Sequence, residues 1–179
     1  MANSDIAFRK LAFKDINLLH KWLNTDFVQK WYGKEDRTYT QIRDKYSKYI
    51  TGEKPTSAYI IQIDSHDIGY IQTYLVADYP KFLQGIQADK HSAGLDLYIG
   101  ENEYIHKGYG KYIISKFLDK IVFNNSKVDN CMLVPETANT AAVKTYESVG
   151  FKRLRTVRSP DGDWFEYIMR LDKSDFKPL

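Results

Sequence analysis

A chain of 179 residues with 43% hydrophobic and 27% charged residues has the composition of one soluble globular domain with a sizeable core. Its net charge of +3, with Lys and Arg dispersed among nearly as many Asp and Glu, excludes the basic footprint of a nucleic-acid binder. The single Cys131 excludes an internal disulfide framework and a cysteine-based zinc site, so no metal is expected. No run of about 18 apolar residues offers a membrane span, and MANSDIAFRK lacks a signal-peptide apolar region, which leaves the cytoplasm as the default expectation.

In chain order, residues 6–11 read as a short strand. Residues 15–24 carry apolar side chains at Ile16, Leu18, Leu19, Trp22 and Leu23, close to a helical period. The segment 26–36 contains Trp31, Tyr32 and Gly33. A second helix fits 40–50, with Gly52 as its stop. Strands over 59–63 and 68–76, joined by a turn at 64–67, make a hairpin. Residues 77–93 show no clear period and contain Pro80 and Gly85, so they read as a long functional or disordered loop. A strand follows with Leu95, Leu97 and Ile99 on one face, then a glycine-containing turn and a helix-like run over 112–123. A strand over 131–134, a break at Pro135, a helix over 139–149 stopped by Gly150, and strands over 152–158 and 164–171 around Pro160-Asp161-Gly162 complete the chain. Hairpins followed by strand–helix–strand–helix give a mixed α/β single domain over 1–179.

The stretch GLDLYIGENEYIHKGYGK, residues 94–111, carries the strongest chemical signal. Strand, glycine turn and helix is an arrangement that binds phosphate, because the first N–H groups of a helix lack intrahelical partners and the dipole favours an anion there. Gly108 and Gly110 allow close approach to the backbone, and Asp96 supplies a carboxylate just upstream. An ordinary strand–helix turn has the same residues. A second constellation lies in ETANTAAVKTYESVGF: Asn139, Ala142 and Tyr146 fall on neighbouring turns of one helix. It reads either as capping plus packing or as a ligand face with room at Ala142 and a phenol at Tyr146.

The two constellations, in order and with a strand between them, resemble the GNAT superfamily of acetyl-CoA-dependent N-acetyltransferases. The pyrophosphate site of that superfamily corresponds to Tyr98 through Lys111, and its N-x-x-A-x-x-x-Y-x-x-x-G-F signature to Asn139 through Phe151. The pieces Lys21-Trp22-Leu23-Asn24, Trp31-Tyr32-Gly33, Ile68-Gly69-Tyr70, Gln72, Tyr74, Gly94-Leu95-Asp96, Lys107-Gly108-Tyr109-Gly110, Thr156-Val157 and Pro160-Asp161-Gly162 are similar to aminoglycoside 6′-N-acetyltransferases. The resemblance implies a mixed, mostly antiparallel sheet, splayed at the acetyl-CoA site and flanked by helices. It also implies acetyl transfer to the 6′-amine of an antibiotic, and resistance. Two positions depart from the pattern: Ile105 stands where a Gln or Arg is usual, and Val134 near where a family aspartate binds the drug, with Glu136 as a possible substitute.

On this resemblance Asp96 holds the ammonium and accepts its proton, and Tyr146 protonates the leaving thiolate. A backbone N–H within Tyr98, Ile99 and Gly100 meets the thioester oxygen. His106, Lys107, Gly108, Tyr109, Gly110 and Lys111 hold the pyrophosphate, with Asn139, Ala142 and Tyr146 along the cofactor. A polycationic substrate needs local acids, for which Asp78, Asp89, Asp96 and Glu136 are candidates. Trp31, Tyr32 and Tyr74 are candidates to line the sugar; of the first two, Trp31 better suits a packed helix corner. A GNAT enzyme acting on a protein N-terminus or metabolite amine, and a non-catalytic CoA-binding module, are the competing readings. No membrane or nucleic-acid partner is expected, and the chain is expected to be a monomer or homodimer.

Overall fold

The structure, a computed structural model, describes residues 5–33 and 37–179. Residues 34–36 of the segment read as 26–36, and the first four of the stretch read for a signal peptide, lie outside the described residues. Among the described residues seven strands form one sheet in the order β1-β2-β3-β4-β5-β7-β6. It is mixed and mostly antiparallel, as expected. Two compact units divide the chain, Met1–Thr73 with Asp96–Tyr109 and Tyr74–Leu95 with Gly110–Leu179.

In the first unit, β1 (Ile6–Lys10) pairs antiparallel with β2 (Thr56–Ile63), Ile6 opposite Ile63. Asp64 and Ser65, at φ 49° and 67°, turn the chain into β3 (His66–Leu75). Two left-handed residues suit a tight hairpin because their twist matches that of the strands. Helix α1 (Ile16–Leu23) buries Ile16, Leu19, Trp22 and Leu23, the apolar stripe read from the sequence. Helix α2 covers Asp26–Tyr32. Helix α3 (Tyr39–Ile50) starts on a reciprocal cap, in which the Thr38 hydroxyl accepts from the Gln41 amide N–H at 3.3 Å and Gln41 Oε1 accepts from the Thr38 N–H at 2.8 Å. It buries Ile42 and Tyr46 against a core that includes Trp22, Ile60, Tyr70 and Tyr98.

In the second unit, the segment 77–93 is not an irregular loop. Pro80 opens helix α4 (Pro80–Ile86), where its missing N–H is no loss and its fixed φ suits the first turn. Phe82, Leu83 and Ile86 pack with Val76, Met132 and Ile168, and that apolar anchorage makes a seven-residue helix with little periodicity stable. Strand β4 (Ser92–Ile99) runs parallel to β5 (Asn130–Leu133) from Ser92 opposite Asn130 to Gly94 opposite Met132. Helix α5 (Tyr109–Phe117) begins three residues before the expected run and changes to a wider π turn over Leu118–Val122. Helix α6 (Thr140–Val149) ends at Gly150, whose φ of 109° the glycine accommodates. Strands β6 (Lys152–Arg158) and β7 (Phe165–Asp172) pair antiparallel. Cys131 is buried, as expected.

The alternation on β4 does not mark a single core face. Leu97 and Ile99 are only partly buried, whereas Tyr98, on the Asp96 face, is 7% exposed. Tertiary packing of aromatic rings covers the face that the pattern assigns to polar groups.

Candidate active site

Asp96 is held by a chain of donors within the first unit. Tyr70, wholly buried, donates its hydroxyl to Gln72 Oε1 at 2.6 Å, and Gln72 Nε2 donates to Asp96 Oδ2 at 2.7 Å. Strand β3 makes this possible because its period of two puts residues 70 and 72 on one face. The Tyr70 hydroxyl fixes which end of the Gln72 amide faces Asp96.

Tyrosine rings cluster in the same core, and the Asp96 charge acts on Tyr32, Tyr46 and Tyr70. Tyr98 stacks on Tyr70 at 5.5 Å, Tyr32 meets Tyr98 edge-on at 4.8 Å, and Tyr46 meets Tyr70 edge-on at 5.3 Å. Burial, and then neighbouring phenols and the Asp96 charge, push the Tyr32 and Tyr70 phenols well above the ordinary range. Burial raises Tyr46 and Tyr98 as well. All four stay neutral at physiological pH and act as O–H groups rather than phenolates. Tyr32 packs with the core, because the last turn of α2 directs residue 32 to Tyr98, and Trp31 beside it is half-buried. Lys30 Nζ lies 5.0 Å above the Trp31 ring.

Arg37 was not singled out from the sequence. Asn24 grips its backbone, accepting from the N–H at 2.8 Å and donating to the carbonyl at 2.9 Å, while Arg37 Nη2 donates to the Tyr32 carbonyl at 3.0 Å. Its charge acts on both Tyr46 and Tyr98. Arg37 Nη1, Tyr46 Oη and Tyr98 Oη are buried without a well-formed hydrogen bond; leaving such a group unpaired costs about 1–3 kcal/mol. The only sequence signal for this cluster is the tyrosine content itself.

The β4 end divides the candidate backbone donors. The Gly100 N–H donates to the Ile68 carbonyl at 2.8 Å and is not available to a thioester. Gly100 serves packing instead: a Cβ there would run into the Trp22 indole, which donates to Glu101 at 2.8 Å. A strand alternates its N–H directions, so Ile99, one residue back, points its N–H to the other edge of β4.

The following loop has the form of an anion cradle. His106 and Gly108 both have positive φ, 57° and 76°, so the left-handed turn takes in His106 as well as the glycine. His106, Lys107 and Gly108 are exposed, and Tyr109 starts α5. In the second unit, a Cβ on Gly110 would lie 3.1 Å from Thr145 Cγ2, so this glycine lets α5 approach α6. Lys111 Nζ sits 4.8 Å over the Tyr112 ring. Asn139 Oδ1 accepts from the Ala142 N–H at 3.2 Å, so that oxygen caps α6. Ala142 and Tyr146 are half-buried, and the Tyr146 ring meets Phe151 at 6.1 Å.

The remaining acids sit in the second unit with different surroundings. Asp78 is exposed. Asp89 accepts from the His91 N–H at 2.9 Å, from Asn130 at 3.0 Å and from Arg170 at 3.1 Å, which makes it a structural acid. Glu136 is bridged to Glu166 through backbone pairing. Tyr74 packs edge-on to Tyr79 at 5.0 Å and lies where a Cβ on Gly94 would be. Among the described residues no group of three or more His, Cys, Asp or Glu could hold a metal ion, and no helix is long and apolar enough to cross a membrane.

Comparison with known proteins agrees with this architecture. The acetyltransferase (GNAT) domain family matches residues 12–159. An aminoglycoside N(6′)-acetyltransferase type 1 from Klebsiella pneumoniae is 26% identical over 163 residues, 90% of this chain and 81% of that protein. The aminoglycoside acetyltransferase AAC(6′)-Ib in complex with coenzyme A and kanamycin superposes with a TM-score of 0.83 at 22% identity, over 96% of each chain. The spermidine N-acetyltransferase from Vibrio cholerae in complex with CoA and spermine gives 0.78 at 18% identity, over 95% of this chain and 96% of that one. The fold is therefore shared by acetyltransferases that act on different amines.

Proposed function

The chain belongs to the GNAT acetyltransferase family, and from that premise we propose that it acetylates the 6′-amine of aminoglycosides as one domain over residues 1–179. Asp96 carries this reading: a carboxylate fixed by Gln72, whose charge acts on the neighbouring Tyr32 and Tyr70, suits an ammonium. The aminoglycoside N(6′)-acetyltransferase related at 26% identity supports the choice of drug class.

Bound acetyl-CoA supplies an acetyl group whose C–S bond breaks as the amine's N–C bond forms. Residues 106–111 and Ala142 would hold the cofactor; the left-handed backbone at His106 and Gly108 and the start of α5 fit its pyrophosphate. Asp96 attracts the ammonium and accepts its proton at a carboxylate oxygen, leaving the amine lone pair free to attack. The Ile99 N–H serves as donor to the carbonyl oxygen. The Tyr146 phenol would give a proton to the departing sulfur and regain one from the second proton that the nitrogen sheds as the amide forms. Trp31, Tyr74, Asp78 and Glu136 line the sugar.

A second reading, acetylation of a small metabolite amine, is favoured by the acid positions. Asp89 is held by Arg170, and Val134 carries no charge, so few carboxylates remain for a polycation. The test is acetyl-CoA turnover with kanamycin, tobramycin, gentamicin, simple amines and a peptide, with the product position read by NMR. A 6′-N-acetyl product is expected. Turnover confined to simple amines or peptide overturns the drug assignment.

A further inference from the structure

Glu101, in the first unit, engages three separate elements with its backbone and its side chain. It follows β4, and its N–H and that of Gly100 both donate to the Ile68 carbonyl of β3, at 3.2 and 2.8 Å. Two successive N–H groups on one carbonyl form the pattern of a β-bulge, which bends a strand and re-aims the chain beyond it. The Glu101 carbonyl accepts from the Tyr104 N–H at 3.1 Å and so starts the single turn Asn102–Tyr104. Glu101 Oε1 accepts from Trp22 Nε1 and from Lys21 Nζ, each at 2.8 Å, at the last turn of α1.

The two side-chain partners differ in worth. The Lys21 side chain is 60% exposed, so its ion pair is weak. Trp22 is wholly buried, and its indole N–H can only donate, so it depends on the carboxylate oxygen. That anchor is rigid. The Trp22 carbonyl accepts from the Thr25 N–H at 3.1 Å and from the Thr25 hydroxyl at 2.7 Å. Its ring meets Tyr98 edge-on at 6.3 Å and fills the space where a Cβ on Gly100 would lie. Burial opposes ionisation of Glu101, but Lys21 and Trp22 outweigh it and hold the carboxyl below its usual value. The oxygen therefore accepts as a carboxylate at neutral pH.

We propose that Glu101 is a positioning residue for the cofactor: through the Trp22 indole it pins the bulge at the end of β4 to α1. The pin stands between two parts of the proposed cofactor site. Ile99, whose N–H is assigned to the thioester oxygen, lies two residues back, and the left-handed backbone at His106 begins four residues beyond the intervening turn and Ile105 are counted from Asn102. Glu101 touches no reacting atom and acts by fixing where this stretch of backbone lies. Asp96 is held separately, by Gln72 and Tyr70 from β3. The assignment rests on the acetyl-transfer reading and adds to it a residue that serves cofactor binding but not acceptor binding.

The test measures the Kd of CoA by calorimetry and the KM of acetyl-CoA, well below each protein's Tm, beside the Kd of kanamycin or of whichever amine wild type acetylates. Glu101→Met removes the acceptor oxygen and should raise the CoA Kd and the acetyl-CoA KM by about tenfold, the scale of one hydrogen bond to a charged group. Acceptor Kd should stay within about twofold, because Asp96 has its own partners. Glu101→Gln keeps an oxygen for the indole and should restore CoA affinity, and Lys21→Met should leave it unchanged. Ile42→Val, a core change in α3, lowers stability without touching the pin and should not move the CoA Kd. Should Glu101→Met fail to fold, Glu101→Asp, which withdraws the oxygen by one methylene, is read in its place. An unchanged CoA Kd in the variant that lacks the oxygen overturns the assignment. So does an equal loss in Glu101→Gln, or an equal loss of CoA and acceptor binding. Wild type that binds CoA but acetylates no amine overturns the acetyl-transfer reading instead, and the CoA comparison still decides the role of Glu101. Wild type that binds no CoA overturns both.

Discussion

Asp96→Asn is expected to fold and to lose most turnover, and the hydrogen-bond chain explains why the loss exceeds that of a charge alone. The Tyr70 hydroxyl donates to Gln72 Oε1 at 2.6 Å, so Gln72 must present its amide N–H to position 96, where the distance to Asp96 is 2.7 Å. The replacement asparagine can satisfy that donor only with its side-chain oxygen, which turns its NH2 away from Gln72. A donor then stands where a carboxylate oxygen had stood. Losing a positioned base costs about a hundred- to ten-thousandfold, or about 2.7–5.5 kcal/mol of transition-state stabilisation. The assay is thiol release from acetyl-CoA at subsaturating acceptor, with parallel CoA melting shifts. The CoA shift should persist, and raising the pH should restore part of the rate as more amine arrives neutral. Adding Tyr70→Phe should ease the mismatch, because Gln72 can then turn its amide, and raise acceptor affinity without restoring the base. Near wild-type turnover of Asp96→Asn at neutral pH would refute the assignment, leaving Glu136, Asp78 or water to take the proton.

Acetyl-CoA at about 100 times its Kd should add about 2.7 kcal/mol of stability without acceptor. Gly108→Val, which forces a branched side chain onto a backbone at φ 76°, should reduce that shift; equal melting shifts in both proteins would remove the loop from the site. Gly100→Ala should destabilise by about 1–3 kcal/mol in urea unfolding, because its methyl group meets the buried Trp22 indole; an unchanged midpoint would contradict that packing. Burial opposes ionisation of Asp89, but the His91 N–H, Arg170 and Asn130 outweigh it and hold the carboxyl below its usual value. Its stabilisation is therefore present above about pH 4, the unfolded value, and lost as pH falls through the lower folded value. Asp89→Asn should narrow the stability difference between pH 6 and pH 3, measured by denaturant titration. Kanamycin affinity should fall between low and high ionic strength, because carboxylate–ammonium attraction is screened; calorimetry showing no change would favour a neutral acceptor.

Local chemistry in the chain determined a good deal. Period, caps and turn residues placed α1, α3, α6, the β2–β3 turn and the β6–β7 pair within a few residues, because those signals act over one or two helical turns or a single strand. Motif order carried the acetyltransferase reading and singled out Asp96. Tertiary structure decided the rest. Helix α4 has little pattern of its own and exists because Phe82, Leu83 and Ile86 find apolar partners distant in sequence. A Cβ on Gly100 or Gly110 would meet a side chain, Trp22 or Thr145, carried by a separate element, a packing demand that the local sequence does not show. Asn139 serves α6 through its cap, a choice that depends on backbone geometry at one residue. The Tyr70–Gln72–Asp96 chain joins β3 to β4 across 24 residues, and the Arg37 charge acts on phenols carried by α3 and β4. Hydrogen bonds and buried charge are set by distances of a few ångströms in space, and only the folded chain brings those groups together.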